Sequence, residues 1–316
     1  MILAGVDEAG YGPLLGPLCS GLAAFRVEGA ADAKGADAAL RVALGDGSHG
    51  LRFGDSKEVH RPGKPAALEA SVLALLAARD GAPPRDGAAL LAALGVRPAP
   101  GDHPWYAGVL RGPLPFAADG GEIEAAGAAL REALRGAGAA PVVLEARLLA
   151  EGRYNDAVDL RGNKAEVLFL EAAGLVERAL AVAEGRGEAL EAVCDRQGAR
   201  ARYSALLQQR FPERFIRVLG ESPKASAYDL GGKPGPARAR FQVKADASWC
   251  VVGVASMIAK YLREVHMAAL NAWFLREAPS VRPTAGYWAD GLRFLGETAD
   301  ARARLRVDDN VLVRRK

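Results

Sequence analysis

Cysteine is scarce: the 316 residues hold three, Cys19, Cys194 and Cys250, odd in number and widely spaced. A disulfide framework or a zinc knuckle needs more thiols at closer spacing, so each cysteine reads as a packed structural residue. Histidine is nearly as thin, and His49, His60, His103 and His266 show no ligand-like spacing. Long apolar runs are missing too. Nothing approaches the roughly 20 uncharged apolar residues of a membrane span, and the first 15 residues carry Asp7 and Glu8 where a secretory leader has a basic and then an apolar stretch. A cytoplasmic location is the expectation. Neither charge dominates: 41 Lys and Arg against 38 Asp and Glu leave +3. That balance does not demand a polyanionic partner, although basic residues gather at 196–210, 238–244 and 302–316.

Half of the residues are hydrophobic, enough for a sizeable core in one large domain or two small ones. The chain opens Ile2-Leu3-Ala4-Gly5-Val6-Asp7-Glu8-Ala9-Gly10-Tyr11-Gly12-Pro13, a short apolar strand followed by two carboxylates and alternating glycines. Neighbouring side chains on a strand point to opposite faces, so Asp7 and Glu8 can serve one site only where the strand ends and the backbone turns. Gly10, Gly12 and Pro13 supply that ending. Glycine also lets main-chain N–H groups approach a ligand closely, which suits a phosphate backbone or a sugar edge. The pattern points to a metal site beside a phosphate. By itself, the dipeptide reads more plainly as a hairpin with a solvated acidic turn.

Strand and helix patterns then alternate. Residues 2–6 and 18–27 read as an antiparallel hairpin. Residues 66–79 have helical composition. The Ala-, Gly- and Pro-rich stretch 80–140 reads as an insertion carrying one or two helices, notably over 122–134, and its low complexity favours a surface expansion. A strand is expected at 141–149, a long helix at 163–184, and a short strand at 191–194 that reaches Asp195. A helix at 203–210 and a strand at 215–219 precede a polar excursion over 221–240 and an extended piece at 241–244 before Asp246. The longest helical run, 247–276, places Val251, Val254, Ala255, Ile258, Leu262 and Val265 on one face. Ser256, Lys260, Arg263 and Met267 form a stripe largely opposite, whose cations face either a nucleic-acid backbone or solvent; for Arg263 solvent is the default.

This order argues for a mixed sheet covered by helices, with a core over 1–246 and a helical C-terminal region over 247–316 packed on it. Asp7, Glu8, Asp195 and Asp246 each follow an apolar or extended segment and can converge at one sheet edge. Any one of them reads equally well as a helix cap or a surface acid. Four together repel unless a divalent cation neutralises them, and hard oxygen ligands suit Mg²⁺ or Mn²⁺.

At these residues the chain resembles the type 2 ribonucleases H, the ribonuclease HII family. Gly5-Val6-Asp7-Glu8-Ala9-Gly10-Tyr11-Gly12-Pro13-Leu14 is similar to that family's first motif, with two catalytic carboxylates and a Gly-Arg-Gly triplet. Asp55-Ser56-Lys57 resembles its second motif, which helps hold the substrate backbone. Cys194-Asp195 and Tyr203-Ser204-Ala205-Leu206-Leu207 are similar to the third carboxylate and the helix after it. Lys244-Ala245-Asp246-Ala247 and the helix through Ser256 and Lys260 resemble the fourth. Gly286-Tyr287 resembles the late tyrosine motif near the substrate junction. These motifs follow the family's order over the start and much of the second half. Tyr11 stands where the family has arginine, and 80–140 and 221–240 have no counterpart, so the resemblance is to a divergent member.

The resemblance implies a ribonuclease H-like five-stranded mixed sheet flanked by helices. It implies a metal-dependent endoribonuclease acting on RNA–DNA hybrids or on ribonucleotides embedded in duplex DNA, leaving 3′-hydroxyl and 5′-phosphate ends. Asp7, Glu8, Asp195 and Asp246 would be the catalytic ligands of a two-metal Mg²⁺ or Mn²⁺ site, and the attacking group would be water. Gly10, Tyr11, Gly12, Asp55, Ser56, Lys57, Lys260 and Tyr287 would contact substrate, with Tyr287 and the glycine main chain positioned to read a 2′-hydroxyl. A nuclease of changed specificity on the same fold, and a hybrid-binding protein with weak catalysis, are the alternatives.

Overall fold

The computed structural model describes residues 1–45, 47–54, 65–99, 101–232 and 235–315. The elements in chain order are β1 (Ile2–Ala9), β2 (Leu18–Val27), α1 (Ala33–Gly45), α2 (Ala66–Asp80), α3 (Gly87–Ala93), α4 (Gly120–Gly136), β3 (Ala139–Leu149), α5 (Glu151–Arg161), α6 (Lys164–Arg186) and β4 (Leu190–Asp195). After them come α7 (Ser204–Arg210), β5 (Arg217–Glu221), β6 (Ala225–Asp229), β7 (Ala237–Gln242), α8 (Ala245–Ser248), α9 (Cys250–Glu277), α10 (Trp288–Glu297), α11 (Ala299–Leu305) and α12 (Asp309–Leu312).

The mixed sheet flanked by helices is present, but it has seven strands, not five, in the order β3-β2-β1-β4-β7-β6-β5. The central strands β1, β4 and β7 are mutually parallel, and the outer pairings are antiparallel. The additional strands come from the stretch read as a polar excursion. In β7 Ala237, Ala239 and Phe241 point inward while Arg238 and Arg240 point outward, a half-buried alternation whose arginines mask the strand in any average of hydropathy.

Two layers of core cover the sheet. On one face Leu3, Ala23 and Phe25 pack against α9, α2 and α4; on the other Ile2, Ala4 and Val6 pack against α6. The 28-residue α9 is apolar nearly all round, as a helix buried between layers must be. Arg263 and Met267, expected on its polar stripe, are buried with the rest, so Arg263 is not a solvated residue. The 80–140 segment is likewise no surface expansion, since its Trp105, Tyr106, Leu130 and Leu134 join the cluster that holds Leu3 and Phe25. Its alanines and glycines permit close packing: Gly127 of α4 sits directly against Ala74 and Ala77 of α2.

Among the described residues no helix is long and apolar enough to cross a membrane. α9 and the β1–β2 hairpin approach each other backbone to backbone. A Cβ at Gly5 would collide with the Val251 carbonyl, and one at Gly21 with that of Ala255. Backbone cannot yield as a side-chain tip does. Gly5→Val should therefore cost about 3 kcal/mol or more in urea unfolding, whereas Gly12→Ala, with no heavy atom within 4 Å of its added carbon, should stay within about 0.5 kcal/mol.

Candidate active site

Three parallel strands end side by side. The register pairs Val6 with Cys194 and Asp195 with Gln242, so the carboxyl ends of β1, β4 and β7 lie at one edge. β1 stays paired with β2 as far as Ala9, but its pairing with β4 stops at Val6. The sheet splits there, and Asp7 and Asp195 stand one residue beyond the last shared rung. The strand therefore does not end between Asp7 and Glu8. Its alternation sends Asp7 to the α9 face with Leu3 and Ala9, and Glu8 to the face of Ala4 and Val6. Asp246 arrives from α8, after a turn in which Lys244 takes the left-handed conformation at φ 54°. Asp195 fixes that turn by accepting the Ala245 N–H at 2.7 Å.

The four acids feel one another. Burial pushes the Asp7 carboxyl up to about 7, the charges of Asp195 and Asp246 push the same way, and a hydrogen bond with Ser256 of α9 opposes them. Glu8 is raised by burial and then by Asp7, Asp195 and Asp246. All-oxygen donors, burial and mutual repulsion are the chemistry that a hard divalent cation relieves, so the residues fit such an ion. The side chains do not form a closed cage: among the described residues no three His, Cys, Asp or Glu groups are gathered closely enough to hold one.

After β1 the chain makes a loop over residues 10–17 that contains Gly10, Tyr11 and Gly12. Gly10 at φ 89° and Gly16 at φ 87° take conformations that only glycine adopts without strain. Four distant parts of the chain hold this loop. The Gly286 carbonyl accepts the N–H groups of Leu14 and Leu15 at 2.7 and 3.1 Å. Arg263 donates to the carbonyls of Leu15 and Ala285. Glu151, fully buried at the start of α5, accepts the Gly16 N–H at 3.1 Å and the Tyr106 hydroxyl at 2.8 Å. Arg314 donates to the carbonyls of Gly10 and Tyr11, and its own N–H bonds the Leu14 carbonyl at 2.9 Å. Sequence reading missed Glu151 and Arg314. Arg314 lies in the basic stretch 302–316, where nothing local marks one arginine as buried.

The remaining expected contacts are dispersed. Tyr11 is half-buried with the Lys164 ammonium 5.2 Å from its ring centre. Lys260 lies one turn beyond Ser256 on α9 and is partly buried. Tyr287 precedes α10, 60% exposed, with the Arg263 guanidinium 6.0 Å from its ring centre. Asp55, Ser56 and Lys57 lie outside the described residues. Cys19, Cys194 and Cys250 are free and buried, as their scarcity led one to expect. His103 and His266 are packed inside: the His103 ring bonds Asp102 at 2.6 Å, and His266 bonds the Leu262 carbonyl at 2.8 Å.

No family model matches the chain, and no curated protein matches it in sequence. Solved structures similar to it include ribonucleases HII and HIII. One is ribonuclease HII of Archaeoglobus fulgidus in its complex with PCNA, at 16% identity and TM-score 0.48, covering 100% of this chain and 96% of that one. Ribonuclease H2 of Pyrococcus horikoshii OT3 is at 16% identity and TM-score 0.47, covering 99% and 92%. Bst ribonuclease HIII in complex with Mn²⁺ is at 13% identity and TM-score 0.39, covering 99% and 66%.

The raised Asp7 has a consequence for stability. Its folded value, about 7, lies above the ordinary 3.8, so between those limits the folded protein binds a proton that the unfolded chain does not. Stability of the metal-free protein should fall as pH rises from about 4 to about 7, by an amount of the order of 4 kcal/mol. Asp7→Asn should remove this slope. In EDTA the variant should melt above wild type at pH 8 and level with it near pH 4, and parallel curves for the two would refute the placement of Asp7.

Proposed function

We propose that this chain is a type 2 ribonuclease H, a metal-dependent endonuclease that hydrolyses RNA in RNA–DNA hybrids or at ribonucleotides embedded in duplex DNA. The observation that carries the proposal is the delivery of Asp7, Asp195 and Asp246 to one sheet edge by β1, β4 and the turn after β7, with Glu8 beside them. Burial and the neighbouring acid charges raise Asp7 and Glu8, which serves no stability purpose, because each adds a cost to the folded state. They are explained by Mg²⁺ or Mn²⁺, which Asp7, Glu8, Asp195 and Asp246 would hold. Such an ion, when bound, lowers the pKa of a water and draws charge from a phosphoryl group.

The chain's own parts have separate tasks in this reading. Ser256 holds the Asp7 carboxylate by a hydrogen bond. Asp195, anchored on the Ala245 N–H, keeps α8 and its Asp246 against the end of β4. The loop around Gly10, Tyr11 and Gly12 presents main chain to the sugar edge, where contact with a 2′-hydroxyl separates RNA from DNA. By resemblance, Tyr287 and Lys260 would contact the substrate, and Asp55, Ser56 and Lys57 would grip its backbone.

The test is a cleavage panel with Mg²⁺ or Mn²⁺: all-DNA duplex, duplex DNA with one embedded ribonucleotide, and full RNA–DNA hybrid. Ribonucleotide-containing duplexes should be cut to 3′-hydroxyl and 5′-phosphate ends, the all-DNA duplex left whole, and Asp7→Asn should lose at least about 10³-fold in rate. A folded wild-type protein that cuts neither ribonucleotide substrate, or an Asp7→Asn variant that retains full activity, would overturn the assignment.

A further inference from the structure

A cleft of about 380 Å³ opens onto the loop after β1, with Tyr11, Tyr154 and Trp288 as aromatic walls and Lys164, Arg314 and Arg315 as basic ones. The charges are not equivalent. Arg315 is an ion-pair partner of Asp159, which offsets it. Arg314 is 3% exposed, stacks its guanidinium 3.9 Å over the Tyr154 ring, and spends its terminal N–H groups on the carbonyls of Gly10 and Tyr11. Its Nε is buried without a partner, and no ion pair among the described residues includes it. Lys164 is exposed at the first position of the 23-residue α6, where the helix field favours an anion over a cation, and it too has no carboxylate partner among the described residues.

A buried arginine with an unpartnered Nε, a second cation on an electropositive helix end and exposed aromatic surface specify an anion attached to a flat ring. A nucleotide unit meets that description. The Tyr11 hydroxyl is influenced by both Glu8 and Arg314, which places the cleft beside the acidic edge of the sheet. We infer that this cleft is a phosphate subsite, in which Lys164 holds one backbone phosphate of the strand being cut and Trp288 packs against the adjoining base. The inference rests on the nuclease reading and adds residues to it. Arg314 is the positioning residue beneath, fixing the loop and supplying the field.

The experiment measures binding of a duplex with one embedded ribonucleotide against salt concentration, in an Asp7→Asn background that stops turnover, with and without Lys164→Met. Lys164 is exposed, so its replacement does not challenge folding. Loss of one phosphate contact should reduce the slope of log K against log salt by about 0.9 and weaken binding several-fold at 0.1 M salt. A second arm titrates 2′-deoxyadenosine 5′-monophosphate and reads the fluorescence quench that Trp288→Phe abolishes; Lys164→Met should weaken it. An unchanged salt slope in a protein that binds the duplex overturns the subsite and leaves the nuclease reading standing. Quenching by the free nucleotide together with an unchanged slope overturns the backbone source. Failure of the parent to bind any ribonucleotide-containing duplex overturns the nuclease reading itself.

Discussion

Two buried guanidiniums, Arg263 and Arg314, hold the loop between β1 and β2, and the geometry at the end of β1 depends on them. Their partners on that loop are main-chain carbonyls rather than carboxylates. Each leaves its Nε without a partner. Removing such charges from water costs several kcal/mol apiece, which carbonyl acceptors return only in part. Burial holds the carboxyl of the nearby Glu151 above the ordinary range, against the hydrogen bond from Tyr106 and the charges of His103 and Arg314. The loop thus has a cationic interior on one side and four acids at the strand ends on the other. The main chain of the loop is thus set from behind by positive charge.

This arrangement explains why the chain ends matter to its beginning. Arg314 reaches Gly10 across 304 residues of sequence. It can do so because Asn155 of α5, buried, donates to the carbonyls of Asn310 and Val313 at 2.7 and 2.8 Å and accepts the Arg315 N–H at 2.8 Å. Each bond is worth about 1 kcal/mol alone, but together they fix the backbone from which Arg314 projects. The tail is the outer half of the clamp on the glycine loop.

How much of this could be read in advance depends on whether the signal is local. The β1–β2 hairpin, α6 and α9 are marked by apolar runs of the right length between glycine or proline breaks, and they lie close to where those runs predict. Asp7 and Asp195 follow such runs, whereas Asp246 follows only a brief extended piece. β6 and β7 were hidden by outward arginines and polar residues. Arg263, Arg314 and Glu151 were hidden for a different reason: a buried charge is stabilised by partners far away in sequence, and no periodicity encodes that. β1 does end at Ala9 beside Gly10, but the split between β1 and β4 after Val6 already opens the sheet at Asp7, which no local pattern marks.

The inserted stretch 80–140 shows how a composition-poor segment can still be coupled to a site. The His103 ring bonds Asp102 through Nδ1 and accepts the Gly152 N–H at 3.4 Å through Nε2, a pattern that requires the proton on Nδ1. Its ring stacks at 6.0 Å on Tyr106, whose hydroxyl completes the hydrogen bonds of Glu151 Oε1. The other Glu151 oxygen has no hydrogen-bond partner and lies 3.8 Å from His103 Nε2, so the hydrogen bonds that aim the carboxylate come from Tyr106 and Gly16. Without Tyr106 that acid would keep only the Gly16 N–H as a hydrogen-bond partner, so the aromatic residues of this stretch carry its packing through the core to the back of the glycine loop.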